Sequence, residues 1–134
     1  MLTINRQTDY ASRIILHLAL QGEASRTTAA EIAERRLIPK AFVRRVVTKL
    51  ATAGLIATTR GIEGGIVLAR LASEISLLEV VEAMEGPLAL NACTVNPQTC
   101  PLVVTCPVNK AWCHAREVLV EELRGVTFDK LAKT

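Results

Sequence analysis

Residues 39–53 separate into two faces when they are wound into a helix, and this separation constrains the fold more than any other feature of the chain. At about 100° per residue, counted from Lys40, the apolar residues occupy an arc from about 200° to 340° and the polar residues an arc from about 0° to 140°. The apolar set is Phe42, Val43, Val46, Val47 and Leu50, and the polar set is Lys40, Arg44, Arg45 and Thr48. Such a helix buries one side in a core and offers a basic side to a partner.

The segments before this helix predict a helix-turn-helix. Apolar residues recur at helical spacing over residues 11–19, and Gly22 ends that helix. Thr28-Ala-Ala-Glu31 has the form of a capping box, which opens a second, short helix. Leu37-Ile38 forms the turn, and Pro39 suits the first position of the next helix. A capped helix, a tight turn and a two-faced basic helix are typical of a recognition helix in the major groove of DNA.

A glycine-rich turn follows the recognition helix. Residues 55–59 and 66–69 predict two short strands, and the turn between them, Arg60-Gly-Ile-Glu-Gly-Gly65, has three glycines that can supply positive φ. No helix with Lys-Ser/Thr follows, so the turn does not have the form of a phosphate loop. The fold class that we predict is mainly α with a small β-hairpin: a winged helix-turn-helix, followed by a long C-terminal dimerisation helix.

The second half of the chain predicts two further helices. Ser76-Leu-Leu-Glu79 is another capping box, and the helix that it opens ends at Gly86-Pro87. From Pro107 an apolar stripe continues for several turns, formed by Val108, Ala111, Trp112, Ala115, Leu119 and Leu123. A helix this long needs a partner surface, and we expect its copy in a homodimer. We therefore predict a DNA-binding domain over residues 1–72, and a connecting helix, cysteine loop and dimerisation helix over residues 73–134.

Charge is distributed unevenly between the two halves. Residues 1–70 hold 11 Lys and Arg against 5 Asp and Glu, whereas residues 71–134 hold 5 against 8. A basic front half points to a polyanion, and the predicted recognition helix indicates that this is double-stranded DNA. Arginine can contact guanine edges in a bidentate way, while lysine more often holds phosphate. The candidate DNA-binding residues are Thr28, Lys40, Arg44, Arg45, Thr48, Arg60, Gly64 and Gly65.

All four cysteines, Cys93, Cys100, Cys106 and Cys113, lie between residues 93 and 113. Thiolates favour zinc, copper(I) or iron–sulfur clusters, so the segment predicts a metal centre, a disulfide or a redox switch. The wide intervals argue against structural zinc, which favours close Cys-x₂₋₄-Cys pairs. No segment has the ~20 apolar residues needed to cross a bilayer, so we expect a cytoplasmic protein in which thiols stay reduced. Without a Ser/His/Asp set or paired His ligands, we expect neither an enzyme nor a small-molecule substrate.

The order of these features resembles the iron–sulfur-dependent winged-helix regulators of the IscR, NsrR and BadM type along nearly the whole chain. The matching residues are Thr8-Asp-Tyr-Ala11 with Arg13, Ile32-Ala-Glu-Arg35, Gly54-Leu-Ile56, Arg60-Gly61, Gly64-Gly65, and Cys93, Cys100 and Cys106 with Trp112. The resemblance implies a homodimeric transcriptional regulator, a repressor, whose promoter affinity follows a 2Fe–2S or 4Fe–4S cluster. The signal would be nitric oxide, redox state or iron–sulfur status.

The resemblance also implies the ligands of that cluster. Cys93, Cys100 and Cys106 would be cluster ligands, and Asp9 of the partner subunit matches the carboxylate that NsrR-like proteins offer. Cys113 is the alternative fourth ligand, because in a helix from Pro107 it shares a face with Cys106. The chain departs from the pattern at Glu63 in the wing and at Asn109, where IscR-type proteins carry histidine, and Cys113 is additional.

Two other classes of function remain open at this point. One is a zinc- or thiol-switched regulator with the same DNA-binding module, for which zinc replaces the cluster. The other is a redox or cluster-carrier protein that does not regulate genes. The carrier would lack the salt-dependent duplex binding that phosphate contacts produce.

Overall fold

The computed structural model describes residues 2–22, 26–60 and 65–134. In chain order its helices and strands are α1 (Arg6–Gln21), α2 (Ala29–Arg36), α3 (Lys40–Thr52), β1 (Ile56–Thr59), β2 (Gly65–Leu68), α4 (Leu77–Glu85), α5 (Pro107–Gly125) and α6 (Phe128–Ala132). The prediction of a mainly helical chain with one β-hairpin is confirmed, and α3 and both strands lie within a residue of their predicted bounds.

The first three helices form the helix-turn-helix around one apolar core. The apolar arc of α3 faces the core as predicted: Val43, Val46 and Leu50 are inaccessible to solvent, and Phe42 at its margin is partly buried. Leu37 makes the tight turn after α2 with a left-handed backbone, φ 54°, which non-glycine residues adopt rarely. The capping box predicted at Thr28 is half formed: the Thr28 hydroxyl accepts from the Glu31 backbone N–H at 3.2 Å. The Glu31 carboxylate instead accepts from the Thr27 hydroxyl, 2.8 Å away.

Strands β1 and β2 pair antiparallel and form the wing. The register joins Ile56 with Leu68 and Thr59 with Gly65. Gly54 ends α3 with φ 78°, which allows the chain to reverse into β1. On its other edge, β2 meets the segment before α2, because Thr27 and Ile66 exchange backbone hydrogen bonds of 2.8 and 3.3 Å. The wing is thereby fixed to the helix-turn-helix through the chain that enters α2.

The C-terminal part of the chain returns to this core. Helix α4 opens with the complete capping box predicted at Ser76 and Glu79. The Phe128 side chain at the start of α6 is only 1% exposed and belongs to the same apolar cluster as α1 and α3. The Ile75 carbonyl accepts from the Phe128 N–H at 3.1 Å, which holds α6 beside α4. The apolar core therefore includes residues on both sides of position 72. The division of the chain into two domains at that position stays a prediction about function.

Residues 85–127, all of which the structure describes, contribute no buried residue. Two short 3-10 turns, Ala92–Thr94 and Pro97–Thr99, lead through the cysteine segment into the 19-residue helix α5. The predicted apolar stripe of α5 is exposed from Val108 to Leu119, and only its last member, Leu123, is half-buried. The face of α5 that is half-buried against the chain is a neighbouring one, formed by Asn109, Cys113, Arg116, Val120 and Leu123.

Candidate DNA-binding surface and metal centre

The polar face of α3 is exposed along its whole length. Lys40, Arg44, Arg45 and Thr48 all point away from the core, and α3 contains no acidic residue. Pro39 precedes the helix without a side-chain cap, so the first backbone N–H groups remain open. Open amides at a helix N-terminus favour phosphate groups. The face therefore combines three cationic side chains with a helix end that suits an anion.

Thr48 differs from its neighbours because its hydroxyl is already engaged. It donates to the Arg44 carbonyl at 2.9 Å, and Thr52 makes the same bond to the Thr48 carbonyl at 2.9 Å. Bonds of this kind use the hydroxyl proton inside the helix. Thr48 therefore offers a partner its oxygen lone pairs and its methyl group, not a free donor.

The remaining candidate DNA-binding residues lie around the wing. Thr28 is exposed and caps α2, and Arg60 is exposed immediately after β1. Gly64 lies outside the described residues. Gly65 has an internal reason to be glycine, since a Cβ there would be 3.0 Å from the Thr27 carbonyl oxygen. Sequence reasoning did not separate that packing role from DNA contact.

A buried polar cluster joins the helices to the wing. His17 is 1% exposed, its Nδ1 accepts from Arg36 Nε at 3.0 Å, and its Nε2 lies 3.5 Å from the Thr27 hydroxyl. Because Nδ1 accepts, the ring is neutral and carries its proton on Nε2. Burial first, and then the Arg36 and Arg35 charges, lower the pKa of His17. The hydrogen bond from Thr27 lowers the pKa of Glu31. Thr27 thus connects α1, α2 and β2.

The four cysteines are half-buried and form no disulfide. Asn109 contacts three of them: its side-chain amide donates to the Cys93 carbonyl at 3.2 Å, and its backbone N–H donates to Cys106 Sγ at 3.4 Å. Its side-chain oxygen accepts from Cys113 Sγ at 3.7 Å. Cys106 is also the N-cap of α5. Asn109 therefore holds the cysteine segment against the first turns of α5.

Within residues 2–22, 26–60 and 65–134, no three His, Cys, Asp or Glu side chains converge as ligands of one metal ion. The donor chemistry nonetheless fits an iron–sulfur cluster, because the thiol groups are free and soft. Cys93, Cys100 and Cys106 also lie on short turns outside the core, so they can rearrange around a cofactor without disturbing buried contacts. The residues therefore fit the group by the type of their donor atoms.

Asp9 of α1 lines a groove near the C-terminal end of α5, whereas Cys106 stands at the N-terminal end of that helix. Asp9 is exposed, forms an ion pair with Arg13 at 2.6 Å, and lines a groove of about 640 Å³ whose wall includes Leu123 near the end of α5. At about 1.5 Å per residue, Leu123 is about 25 Å along the helix axis from Cys106. Asp9 therefore shares a groove with the end of α5 that is remote from Cys106.

Within one chain, hydrogen bonds connect the flanks of the cysteine segment to helices. The Glu85 carboxylate at the end of α4 accepts from the buried Thr8 hydroxyl at 2.6 Å and from the Asn5 N–H at 3.3 Å. Arg116 of α5 donates to the Leu88 carbonyl. Sequence reasoning missed these contacts, and also the role of Asn109. The sequence feature that could have indicated the role of Asn109 is its position three residues after Cys106, the N-cap of α5.

Comparison with known proteins identifies the family. Residues 4–134 match the family described as Rrf2, iron-dependent transcriptional regulator. The chain belongs to the Rrf2 family. The predicted resemblance to IscR- and NsrR-type regulators is therefore confirmed, and the winged helix is that of a family of DNA-binding transcriptional regulators.

Relatives in the Rrf2 family cover most of the chain. Protein aau3 of Rhizobium meliloti is 37% identical over 131 residues, which cover 97% of this chain and 84% of aau3. The HTH-type transcriptional regulator NsrR of Shouchella clausii is 37% identical over 116 residues, 87% of this chain and 74% of that relative. The structure of CymR, the global cysteine regulator of B. subtilis, is 25% identical with TM-score 0.83, and the match covers 99% of this chain and 98% of CymR. No helix in the described part of this chain reaches the length and hydropathy that a membrane span requires.

Proposed function

We propose that this Rrf2 protein is a repressor whose affinity for promoter DNA is set by an iron–sulfur cluster held by Cys93, Cys100 and Cys106. The observation that carries the proposal is the position of these free thiols, on a segment outside the core and between two helices that contact the rest of the chain. A bound cluster supplies thiolate-ligated iron that can respond to nitric oxide, oxidants or iron supply. The chain's own part is to bind it and to pass the change to α1 and α3.

Purification without oxygen tests this proposal directly. Iron and sulfide analysis, together with a visible absorption spectrum, should show both elements bound to the wild-type protein. Changing Cys93, Cys100 or Cys106 individually to serine should remove most of the iron. Cys113→Ser is the matched control and should retain it if Asp9 is the fourth ligand. Iron-free protein that also resists reconstitution would contradict the proposal.

The homodimer is proposed from two complementary surfaces. Val108, Trp112 and Leu119 of α5 are exposed by 59%, 41% and 36%, which leaves an apolar face without a partner in the described chain. The groove beside Asp9 is lined by apolar residues of α4 and α6, whereas the α1 residues in its lining are mainly polar or charged. Pairing through α5 would bring the cysteine segment of one chain towards Asp9 of the partner subunit. Asp9→Ala should then weaken the response of DNA binding to the cluster and leave cluster-free DNA binding unchanged.

On DNA, such a dimer would place two α3 helices in successive major grooves about 34 Å apart. Arg44 projects from the middle of the exposed face and is proposed to contact base edges, whereas Arg60 in the wing is proposed to contact phosphate. Arg44→Ala should relax sequence preference, since a bidentate base contact contributes about 1–3 kcal/mol of discrimination. Arg60→Ala should weaken binding evenly across sequences and reduce the salt slope by about 1. Equal, sequence-independent losses from both variants would remove the base-reading role of Arg44.

A thiol- or zinc-switched regulator is the second candidate function. It is favoured by the similarity to CymR, which is described as the global cysteine regulator, and by the contact of Cys113 with Asn109 beside Cys106. Colourless protein with stoichiometric zinc, or DNA binding that follows thiol oxidation without iron, would select it. The cluster-carrier alternative has no support among these relatives, and steep salt-dependent duplex binding would exclude it.

A further inference from the structure

Four side chains form a continuous stack between α1 and α3. The Arg13 guanidinium lies 5.5 Å from the centre of the Tyr10 ring, and the Arg45 guanidinium lies 5.3 Å from the centre of the Phe42 ring. The two rings meet edge to face, with centres 5.7 Å apart and planes inclined by 63°. We call Arg13, Tyr10, Phe42 and Arg45 the cation–aromatic stack.

The rings in the middle of this stack are fixed by the core. Tyr10 is buried in α1, and Phe42 packs against the apolar cluster at the edge of the buried face of α3. An edge-to-face pair has a defined orientation, because the positive ring edge meets the negative ring face. The face of Phe42 is therefore presented to Arg45 in one position.

Arg45 and Arg44 are adjacent in sequence and differ in what holds them. Arg45 is supported by an aromatic face, and among the described residues no ring lies under Arg44. A guanidinium that stacks on a ring keeps its N–H donors free at its edge. Arg45 is exposed, so those donors remain available to a ligand.

The position of Arg45 on the helix indicates its ligand. Arg45 stands at about 140° from Lys40, at the margin of the polar arc next to Phe42, whereas Arg44 stands near its centre at about 40°. When the centre of the face enters a major groove, a side chain at its margin meets the sugar-phosphate wall. Phosphate contacts fix the register of a protein on DNA.

We propose that Phe42, supported by Tyr10, is a positioning residue for DNA binding that holds the Arg45 guanidinium in place for a backbone phosphate. This inference rests on the proposed DNA-binding function. Because the ring has already restricted Arg45, less side-chain freedom is lost when DNA binds. Arg44 has no such ring contact among the described residues, so we expect it to lose more side-chain freedom when DNA binds.

The test is a set of binding titrations at several salt concentrations. The probe is a duplex selected from a random-sequence library by the wild-type protein, with a scrambled duplex of the same composition beside it. Phe42→Leu should lower affinity about three- to tenfold for both duplexes and leave the salt slope unchanged, since every charge remains. Arg45→Ala should lower affinity and also reduce the slope by about 1.

Double-mutant cycles distinguish positioning from general damage to the fold. In an Arg45→Ala background, Phe42→Leu should lower affinity little further. In the matched Arg44→Ala background, Phe42→Leu should lower affinity as much as it does in the wild type. Phe42→Tyr keeps the aromatic ring, so this variant should bind with the affinity of the wild-type protein. Additive losses in both backgrounds, or wild-type binding by Phe42→Leu, would overturn the inference.

Arg45→Lys provides a second test that leaves the core unchanged. It keeps the charge and removes the planar group, so affinity should fall several-fold with the salt slope retained. Wild-type affinity of folded Arg45→Lys would also overturn the inference. Failure of the wild-type protein to bind duplexes in a salt-dependent way would instead contradict the proposed function.

Discussion

Among the residues that the structure describes, the buried ones lie between Thr8 and Met84, together with Phe128, whereas residues 85–127 bury none. The first region is stabilised by close helix packing, by the hydrogen bonds that fix the wing to Thr27, and by the contact between the Tyr10 ring of α1 and the Phe42 ring of α3. The second is built from short turns, hydrogen bonds to Asn109 and one long helix with an exposed apolar face. The two regions therefore differ in what stabilises them.

The proposed function assigns different tasks to these two regions. A surface that reads DNA benefits from side chains that are already ordered, and the packed region provides them. A segment that responds to a cofactor or to thiol chemistry has to rearrange at low cost, and local stability is lowest where buried apolar contacts are few. The exposed face of α5 suggests that the second region is completed by a second chain.

The largest effect is expected at Phe128, which connects the C-terminal helix to the packed region. Phe128→Ala removes a ring that is 1% exposed and should lower the free energy of unfolding by about 3–5 kcal/mol. Urea unfolding followed by circular dichroism measures this change. Trp112→Ala, on the exposed face of α5, is the control and should cost far less at protein concentrations where the chain is monomeric. Equal losses would mean that the two regions are not stabilised differently.

An intermediate effect is expected on self-association. Leu119→Glu places a charge in the exposed apolar stripe of α5 and should raise the dimer dissociation constant by about ten- to a hundredfold, equivalent to about 1.4–2.8 kcal/mol. Analytical ultracentrifugation across a concentration series measures it. The same substitution at Leu20, an exposed leucine of α1, should leave association unchanged. A Leu119→Glu protein that still dimerises normally would remove α5 from the interface.

The smallest effect is a pH dependence that belongs to the packed region. Burial and the nearby Arg36 and Arg35 lower the pKa of His17 from its ordinary 6.5. Between the lowered pKa and 6.5 the unfolded chain therefore binds more protons than the folded chain. The contribution of neutral His17 to the free energy of unfolding is fully present above this window and decreases as the pH falls through it. The pKa values of Glu31 and Asp129 are shifted below 4.5 and 3.8, outside this window.

Urea unfolding of the wild-type protein and His17→Gln between pH 7.5 and 5.5 tests this dependence. His17→Gln should be less stable than wild type at pH 7.5 and should lose less stability on acidification. His114→Gln changes an exposed histidine of α5 and should follow the wild type. Identical pH dependence in all three proteins would show that His17 does not titrate in this range.

Sequence reasoning succeeded where a single helix or strand carries the pattern. The period of α3, the capping box at Ser76 and the glycine at the end of α3 are local signals, and each predicted its element correctly. The exposed polar side of α3 follows from the same period. The wing turn at residues 61–64 lies outside the described residues, so the prediction there stays a prediction.

Contacts between distant residues were not predictable in this way. The bridge from Thr27 to Ile66, the burial of His17 against Arg36 and the return of Phe128 to the core join elements that no local pattern relates. The stripe on α5 was identified from its period, but its period could not indicate which of two neighbouring faces packs inside the chain. Periodicity fixes the angles between side chains around a helix. Packing against other elements decides which face of the helix is buried.

The sequence by itself determined the winged helix-turn-helix, the basic face of α3 and the soft donors at Cys93, Cys100 and Cys106, because helical period, turn chemistry and ligand type are properties of neighbouring residues. Only the tertiary structure decided that Asn109 contacts three cysteine positions, that Asp9 shares a groove with Leu123 of α5, and that the Arg45 guanidinium lies over the Phe42 ring. These relations depend on how helices pack against each other, which is set by the shape of a shared core.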